Sequence, residues 1–236
     1  MHTFFLEPEN WREPWTLAGA EARHAIKALR LGTGGTIRLL DGAGREGLFR
    51  ITAVDKRELA LEPVSVTEHE RPGAEAWLAL GWNKAARRGW LLEKAVELRA
   101  GGLIFWQAKR SQGRVPDAPK DSWTTALTAG AKQTANPFLP RLGVLPGGAE
   151  ALAEAGRGFD HRVLLWENRD TVRLDAPRLA RPGRTLFVLG PEGGLTDDEA
   201  WALMNAGFEP VSLGPGVLRW ETAALLALGL SWWANR

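Results

Sequence analysis

Apolar runs alternate with helical segments after residue 74, and this alternation restricts the possible folds more than any other feature. The runs are 77–81, 103–106, 163–166, 185–189 and 210–213. The stretches between them carry apolar residues at helical spacing. Strands that alternate with helices pair in parallel, because each helix carries the chain back to the starting edge of the sheet. The sequence therefore predicts an α/β domain with a mainly parallel sheet and a ligand site at the carboxyl ends of its strands.

The chain before this region has a different pattern, which predicts a smaller β domain. Residues 36–40 and 47–54 read as two strands joined by the turn at 41–44, and 59–64 adds a third strand. One helix is expected at about 20–31, because its apolar residues recur at helical spacing. A small barrel that carries one helix is the simplest architecture that buries these strands.

A polar, turn-forming stretch separates the two patterns. It reads His-Glu-Arg-Pro-Gly at 69–73, and such clusters of polar residues, Pro and Gly interrupt regular structure. We therefore predict two domains, a β domain over 1–71 and an α/β domain over 74–236.

Several classes of protein are excluded by composition. The chain has no Cys, which rules out disulfides, thiolate metal ligands and a cysteine nucleophile. Its four His residues have no metal-ligand spacing, so no metal is expected. There is no nucleophile elbow of the hydrolase type. The longest apolar stretch, 223–234, is shorter than the roughly 20 residues that cross a bilayer, so we expect a cytoplasmic protein without a membrane span.

Positive charge is clustered, although the formal net charge is only +2. Clusters contribute more to phosphate binding than the total charge does. An equally simple interpretation of any one cluster is a solvated helix face. The clusters are Arg23, Lys27 and Arg30, then Lys84, Arg87 and Arg88, then Lys109, Arg110 and Arg114.

The most specific segment is the glycine-rich turn at 189–195, Leu-Gly-Pro-Glu-Gly-Gly-Leu. It links a strand to a helix that Thr196 and Glu199 open with a capping-box pattern. Its three glycines let main-chain groups approach a flat ligand closely. A turn that only needs positive φ would explain one glycine, but not the whole set with Glu192 in its middle.

A second loop, 213–218, follows the next strand and leads into the last helix. The amides at that helix start suit a carboxylate, and Arg219 could reach an anion or a base carbonyl. Alternatively, Glu221 is a favourable first-turn carboxylate and Arg219 a surface ion-pair partner. A third strand end, at 166–168, is less specific.

At these motifs the chain resembles the RsmE family, the bacterial 16S rRNA uracil-N3 methyltransferases of the SPOUT superfamily. The resemblance rests on LGPEGGLTDDE followed by LGPGVLRWETAAL, two motifs that are highly specific together. The segments 22–30, 94–98 and 109–111 agree with the family in the same order, so the resemblance covers nearly the whole chain.

The resemblance implies a PUA-like N-terminal barrel and a C-terminal SPOUT domain with a deep trefoil knot. It also implies a homodimer whose active site lies at the subunit interface. The loops 165–168, 189–194 and 213–218 would hold S-adenosylmethionine in a bent shape. The cofactor residues expected on this basis are Leu165, Glu167, Asn168, Leu189, Gly190, Pro191, Gly193, Gly194, Leu213, Gly214, Val217, Leu218 and Thr222.

The implied activity is methylation of a uridine at N3 in 16S ribosomal RNA of the small subunit. Arg219 is the candidate for stabilising the uracil oxygens, and Glu192 or Glu221 for accepting or orienting the proton. The expected RNA contacts are Arg23, His24, Lys27, Arg30, Lys84 and Arg110. Two alternatives stay open: methylation of another rRNA or tRNA position, and an RNA-binding module without catalytic activity.

The chain departs from the family pattern at several positions. Lys132 and Asn136 stand where the family's middle helix carries Glu and a nearby Arg, and only Gln133 of that group is retained. Gly216 replaces a common Arg, and Trp220 a common Thr. These departures leave the cofactor loops intact, but remove groups that could contact RNA.

Overall fold

The computed structural model describes residues 1–84, 87–166 and 172–235. The described chain divides into two compact units. The first comprises Met1–Arg71 and Thr128–Leu139, and the second Pro72–Leu127 and Pro140–Arg236. The segment Thr128–Leu139 lies in the first unit, although the sequence pattern assigns it to the second domain.

The first unit contains a five-stranded sheet in the order β1-β3-β4-β5-β2. Only β1 and β3 pair in parallel. Two register shifts in the β4–β5 pair bend the sheet, as β-bulges do. The strands are β1 (Thr3–Phe5), β2 (Thr16–Ala18), β3 (Thr36–Leu40), β4 (Arg45–Val54) and β5 (Glu58–Glu68).

One interrupted helix packs on this sheet. Helix α1 (Gly19–Arg23) continues as a π-helical turn, His24–Ala28, in which the amide of Leu29 donates to the carbonyl of His24 at 3.1 Å. The helix predicted at about 20–31 is therefore present but ends earlier. Ala25 packs into the same apolar cluster as Phe49, which explains why the apolar residues of this segment recur at helical spacing.

The turn between β3 and β4 is built around one buried carboxylate. Oδ1 of Asp41 accepts hydrogen bonds from the amides of Ala43, Gly44 and Arg45 at 2.8, 3.1 and 2.9 Å. Its Oδ2 pairs with Nε of Arg45 at 2.6 Å. Asp41 is only 2% exposed. Burying a charged carboxylate costs free energy unless the carboxylate is hydrogen-bonded and paired, and these bonds meet both requirements.

This turn and helix α1 hold the segment 128–139 in the first unit. The amide of Leu139 donates to the carbonyl of Gly42 at 2.9 Å, and the amide of Gly44 to the carbonyl of Pro137 at 3.0 Å. Lys132 forms an ion pair with Glu21 at 2.7 Å. The lysine that departs from the family pattern thus has a structural partner within its own unit.

The second unit contains a seven-stranded sheet in the order β10-β12-β9-β11-β6-β7-β8. Every pairing in it is parallel, so the predicted α/β class is confirmed. The strands are β6 (Ala74–Gly81), β7 (Gly102–Trp106), β8 (Arg141–Leu145), β9 (His161–Leu165), β10 (Val172–Arg173), β11 (Gly183–Leu189) and β12 (Glu209–Ser212). The helices are α2 (Arg88–Glu97), α3 (Asp121–Thr134), α4 (Gly148–Gly156), α5 (Ala176–Leu179), α6 (Asp197–Asn205) and α7 (Trp220–Ala234).

The central strands are apolar along their whole length because both faces of the sheet are covered. All five residues of β7 are buried, and Leu78, Leu80 and Phe187 are at most 1% exposed. Strand β11 is inserted between β6 and β9, and both of these strands precede it in the chain. The trefoil knot implied by the family resemblance stays a prediction.

No helix among the described residues is long and apolar enough to cross a membrane.

Candidate functional site

The three predicted cofactor loops begin on neighbouring strands. In a parallel sheet all carboxyl ends lie at one edge, and β12, β9 and β11 are consecutive in this one. Leu165, the last residue of β9, is in register with Leu189 on one side and Val211 on the other. The three chains therefore leave the sheet at the same level, side by side.

The first of these loops is described only at its start. The amide of Trp166 donates to the carbonyl of Val211 at 3.0 Å, which extends the pairing of β9 and β12 by one residue. The predicted cofactor residues Glu167 and Asn168 lie outside the described residues, so their contribution stays a prediction.

The glycine-rich turn is tightly built. The amide of Gly194 donates to the carbonyl of Pro191 at 2.8 Å, and Gly194 has a φ of 71°, which favours glycine. The strand before the turn is held by the buried indole of Trp106, whose Nε1 donates to the carbonyl of Leu189 at 3.2 Å. Within the described chain, the amides of Glu192 and Gly193 have no hydrogen-bond acceptor. These amides can therefore bind a ligand.

Gly81, at the end of β6, lets this turn approach the sheet. A Cβ at Gly81 would lie 2.3 Å from the main-chain nitrogen of Pro191 and 2.6 Å from the carbonyl carbon of Gly190. No side chain fits there without moving the backbone of the turn. Gly81 was not among the predicted site residues, because its only signal in the sequence is a glycine that ends a buried strand.

The capping box expected after the turn is confirmed. The amide of Glu199 donates to Oγ1 of Thr196 at 3.3 Å, and the amide of Thr196 donates to Oε2 of Glu199 at 3.0 Å. Glu199 is only 3% exposed, and its Oε1 accepts from the amide of Lys109 at 2.7 Å. This carboxylate thus links helix α6 to the segment after β7.

Ser212, the last residue of β12, organises the loop that follows this strand. Oγ of Ser212 donates to the carbonyl of Gly214 at 2.8 Å and accepts from the amide of Gly214 at 3.2 Å. A Cβ at Gly214 or Gly216 would meet nothing within 4 Å. Val217 is 80% exposed. A ligand therefore has open access to the main chain of this loop.

The candidate catalytic residues flank the two loops. Arg219 is the N-cap residue of α7 and is exposed, and it makes no side-chain capping bond. Its guanidinium has no ion pair within the described ranges. Glu192 lies exposed in the glycine-rich turn. Glu221 forms an ion pair with Arg87 at 3.4 Å, and its side chain is 12% exposed.

The start of α7 has unused hydrogen-bond donors. Thr222, a predicted cofactor residue, is exposed in its first turn, where main-chain amides have no intrahelical acceptor. Nε1 of the buried Trp220 likewise has no acceptor in the part of the chain that the structure describes. Amides at a helix start are suited to bind a carboxylate.

The predicted RNA contacts of the first unit lie together on one segment. Arg23, His24, Lys27 and Arg30 are all exposed, on α1, the π-helical turn and the residues just after it. None of them forms an ion pair within residues 1–84. Their side chains are therefore available for phosphate groups.

The basic residues after β6 have different surroundings. Lys84 is exposed, whereas Arg87 pairs with Glu221. The guanidinium of Arg88 lies 3.9 Å from the ring centroid of Trp82 and donates to the main-chain carbonyl of Asn83. Burial lowers the pKa of Arg88. Arg88 is therefore part of the core around Trp82, and Lys84 is the better candidate for a phosphate.

Arg110 is directed towards the glycine-rich turn. Its Nη1 donates to the carbonyls of Gly193 and Leu195, each at 3.1 Å. The neighbouring Lys109 pairs with Asp198 at 3.0 Å, and the hydrogen bond to Asp198 raises the pKa of Lys109. The predicted role of Arg110 as an RNA contact is untested, but its guanidinium is already engaged with main-chain carbonyls.

Within the described residues, no group of three or more His, Cys, Asp or Glu side chains could hold a metal ion.

Comparison with known families identifies the class that this fold and site define. The RNA methyltransferase domain family matches residues 69–232, and the RNA methyltransferase PUA domain family matches residues 17–64. This protein is therefore an RNA methyltransferase, with a PUA domain in its first unit.

Individual relatives narrow the assignment. Ribosomal RNA small subunit methyltransferase E of Mycobacterium bovis is 32% identical over 89% of this chain and 83% of its own length. The Bacillus subtilis protein of that name is 27% identical over 91% of this chain and 88% of its own length. The chain belongs to the ribosomal RNA small subunit methyltransferase E family, as the sequence motifs had indicated.

A solved structure agrees with this assignment. The ribosomal RNA small subunit methyltransferase E of Neisseria gonorrhoeae, crystallised with bound S-adenosyl methionine, superposes with a TM-score of 0.78. It is 27% identical and covers 97% of this chain and 95% of that one.

Proposed function

We propose that this protein transfers the methyl group of S-adenosylmethionine to N3 of a uridine in 16S ribosomal RNA. The observation that carries the proposal is the alignment of three loops at neighbouring strand ends, two of them with open main-chain groups. Family membership and the S-adenosyl methionine bound to the Neisseria relative support the same donor. The uridine N3 target rests on the family resemblance.

The two described loops fit S-adenosylmethionine chemically. The amides of Glu192 and Gly193, which have no acceptor among the described residues, can bind acceptor atoms of the donor, and no neighbouring atom blocks the main chain at Gly214 and Gly216. The amides at the start of α7 suit the methionine carboxylate. When bound, the donor supplies an electrophilic methyl group on its sulfonium sulfur.

The residues around the loops would position the uracil and handle one proton. N3 of uracil carries an imide proton that must leave as the nitrogen attacks, so negative charge develops on the neighbouring oxygens. Arg219 supplies a cation for that charge at the start of α7. Glu192 has no ion-pair partner among the described residues and can accept the proton, whereas Arg87 holds Glu221 in a position suited to orientation.

RNA binding is assigned to exposed cations. Arg23, His24, Lys27 and Arg30 are exposed on one segment of the first unit, and Lys84 follows β6 in the second. Such contacts supply affinity through phosphates rather than sequence recognition. Because the substrate is ribosomal RNA, we also place the protein in the cytoplasm.

The assembly is proposed to be a homodimer formed through α7. Leu225, Leu226 and Leu230 are only half-buried, and Trp232 and Trp233 are 40% and 63% exposed. An apolar stripe of this kind on one helix is typical of a subunit interface. The family resemblance supports the same arrangement.

The role of Arg219 is tested by Arg219→Ala. We expect kcat to fall by about 10²–10³-fold, because one charge-stabilising donor is lost, while the KM for S-adenosylmethionine stays unchanged. Arg157→Ala is the matched control, since Arg157 is paired with Glu154 at the far end of α4. An Arg219→Ala enzyme with normal kcat would remove Arg219 from the mechanism.

The substrate is tested with a radiolabelled methyl donor and unmodified small ribosomal subunits. The proposal predicts one labelled uridine in 16S RNA, located by mass mapping. Label at another position of 16S RNA, or in transfer RNA that is offered in a parallel reaction, would instead support a methyltransferase with a different target. RNA binding without any binding of S-adenosylmethionine in calorimetry would instead indicate a non-catalytic module.

A further inference from the structure

The peptide between Gly193 and Gly194 is the least restricted link of the glycine-rich turn, because both flanking residues lack a side chain. It is nevertheless held at both ends. Its N–H donates to the carbonyl of Pro191 at 2.8 Å, and its carbonyl accepts from Nη1 of Arg110 at 3.1 Å. The second bond comes from outside the turn.

The peptide between Leu195 and Thr196 is held in the same way. Its N–H donates to Oε2 of Glu199 at 3.0 Å, and its carbonyl accepts from the same Nη1 of Arg110 at 3.1 Å. One guanidinium nitrogen thus restrains the Gly193–Gly194 and Leu195–Thr196 peptides. Both lie just after the exposed amides of Glu192 and Gly193.

The segment that carries Arg110 is itself well anchored. It forms a turn, closed by hydrogen bonds from the amide of Ser111 to the carbonyl of Ala108 at 3.1 Å and from the amide of Ala108 to Oγ of Ser111 at 2.9 Å. The buried carboxylate of Glu199 binds the amide of Lys109 at 2.7 Å. Arg110 therefore projects from a fixed point, and Gly193 is packed against it: a Cβ there would lie 3.2 Å from Cβ of Arg110.

We propose that Arg110 is a positioning residue for the S-adenosylmethionine site rather than an RNA contact. It keeps the glycine-rich turn in the conformation that presents the amides of Glu192 and Gly193, which have no acceptor within the described parts of the chain, to the cofactor. This inference rests on the proposed function, because it assumes that the cofactor binds to this turn.

The test compares cofactor and RNA binding in full-length variants. Arg110→Met replaces the aliphatic part of the side chain but removes its charge and its donors, and Arg110→Lys keeps one charged donor group. We expect Arg110→Met to weaken S-adenosylmethionine binding about tenfold in calorimetry. The RNA affinity of Arg110→Met should stay unchanged, and Arg110→Lys should recover part of the lost cofactor affinity.

Two further variants make the result interpretable. Arg114→Met is the matched control for cofactor affinity, because Arg114 lies in the same segment and pairs only with the exposed Asp117 among the described residues. Gly190→Val tests the cofactor location, because a Cβ there would lie 3.1 Å from the carbonyl carbon of Gly194 and the nitrogen of Leu195.

Each outcome has one meaning. Weaker RNA binding with normal cofactor affinity in Arg110→Met would overturn the inference. It would show that Arg110 contacts RNA. Equal losses of cofactor affinity in Arg110→Met and Arg114→Met would overturn it as a general charge effect. If Gly190→Val weakens cofactor binding but Arg110→Met does not, only the positioning role fails. If Gly190→Val binds the cofactor normally, the proposed cofactor location fails as well.

Discussion

Two glycines of this chain show how strongly the surroundings of a residue decide its role. Gly81 ends β6 against the backbone of the glycine-rich turn, where a Cβ would lie 2.3 Å from the nitrogen of Pro191. Gly89 lies in the first turn of α2, where a Cβ would meet nothing within 4 Å. The first glycine is required by close packing, whereas the second only adds conformational freedom to the unfolded chain.

We therefore predict opposite effects of the same substitution at these positions. Gly81→Ala should lower the free energy of unfolding by about 1–3 kcal/mol, because the backbone of the turn must move. It should also weaken S-adenosylmethionine binding. Gly89→Ala should raise the free energy of unfolding by up to about 1 kcal/mol. Urea unfolding checks both values, and a Gly81→Ala protein as stable as the wild type would contradict the packing seen at Pro191.

At the scale of elements, the π-helical turn after α1 determines which residues the first unit presents to solvent. Its bond from Leu29 to His24 spans five residues instead of four, and such turns are frequent at functional sites. Ala22 and Ala25 face the core with no exposed surface, while Arg23 and Lys27 are exposed. The segment thus buries its small apolar residues and exposes its cations.

If this segment binds phosphates, its cations must contribute to the salt dependence of RNA binding. We expect Lys27→Ala to reduce the slope of log K against log salt concentration by about 0.7–0.9, because one counterion fewer is released. Lys56→Ala is the matched control, since Lys56 is an exposed cation of the same unit that lies in the turn between β4 and β5 and not on this segment. Filter binding over a series of salt concentrations measures both, and equal slopes for the two variants would argue against the assignment.

At the scale of the whole molecule, parallel strand order concentrates the chemistry of the second unit at one edge. The loops after β12, β9 and β11 are far apart in sequence but start side by side. The last helix adds an apolar stripe that its own unit only partly buries. The proposed homodimer would bury that stripe against a second copy.

Two exposed tryptophans test the dimer. Trp233→Glu, on α7, should shift the protein from dimer to monomer in sedimentation velocity, because a charge in an apolar interface is costly. Trp201→Glu, on α6, should leave the dimer intact, although Trp201 is 57% exposed and Trp233 63%. A monomeric wild type, or a dimeric Trp233→Glu, would contradict an interface through α7.

Much of the fold was predictable because its signals are local. The continuous apolar runs of β7 and β11 indicate strands buried on both faces, and the Thr196–Glu199 capping box marks the start of α6 within four residues. Strand β8 (Arg141–Leu145) was not predicted from the sequence. It is an outermost strand of the sheet and is only half-buried, so it lacks the continuous apolar run of the central strands. The placement of 128–139 in the first unit was also missed, since it depends on the distant partners Glu21 and Gly42.

The candidate site was likewise predictable from the sequence only in part. The sequence alone determined the parallel α/β class, the glycine-rich turn and the family, because apolar periodicity, caps and motifs are encoded over short stretches of chain. Only the tertiary structure decided that three loops leave the sheet side by side, that Gly81 must lack a side chain, and that Arg110 bonds Gly193, 83 residues away. Contacts over such separations depend on the order of strands in the sheet, and a single sequence contains no local signal for that order.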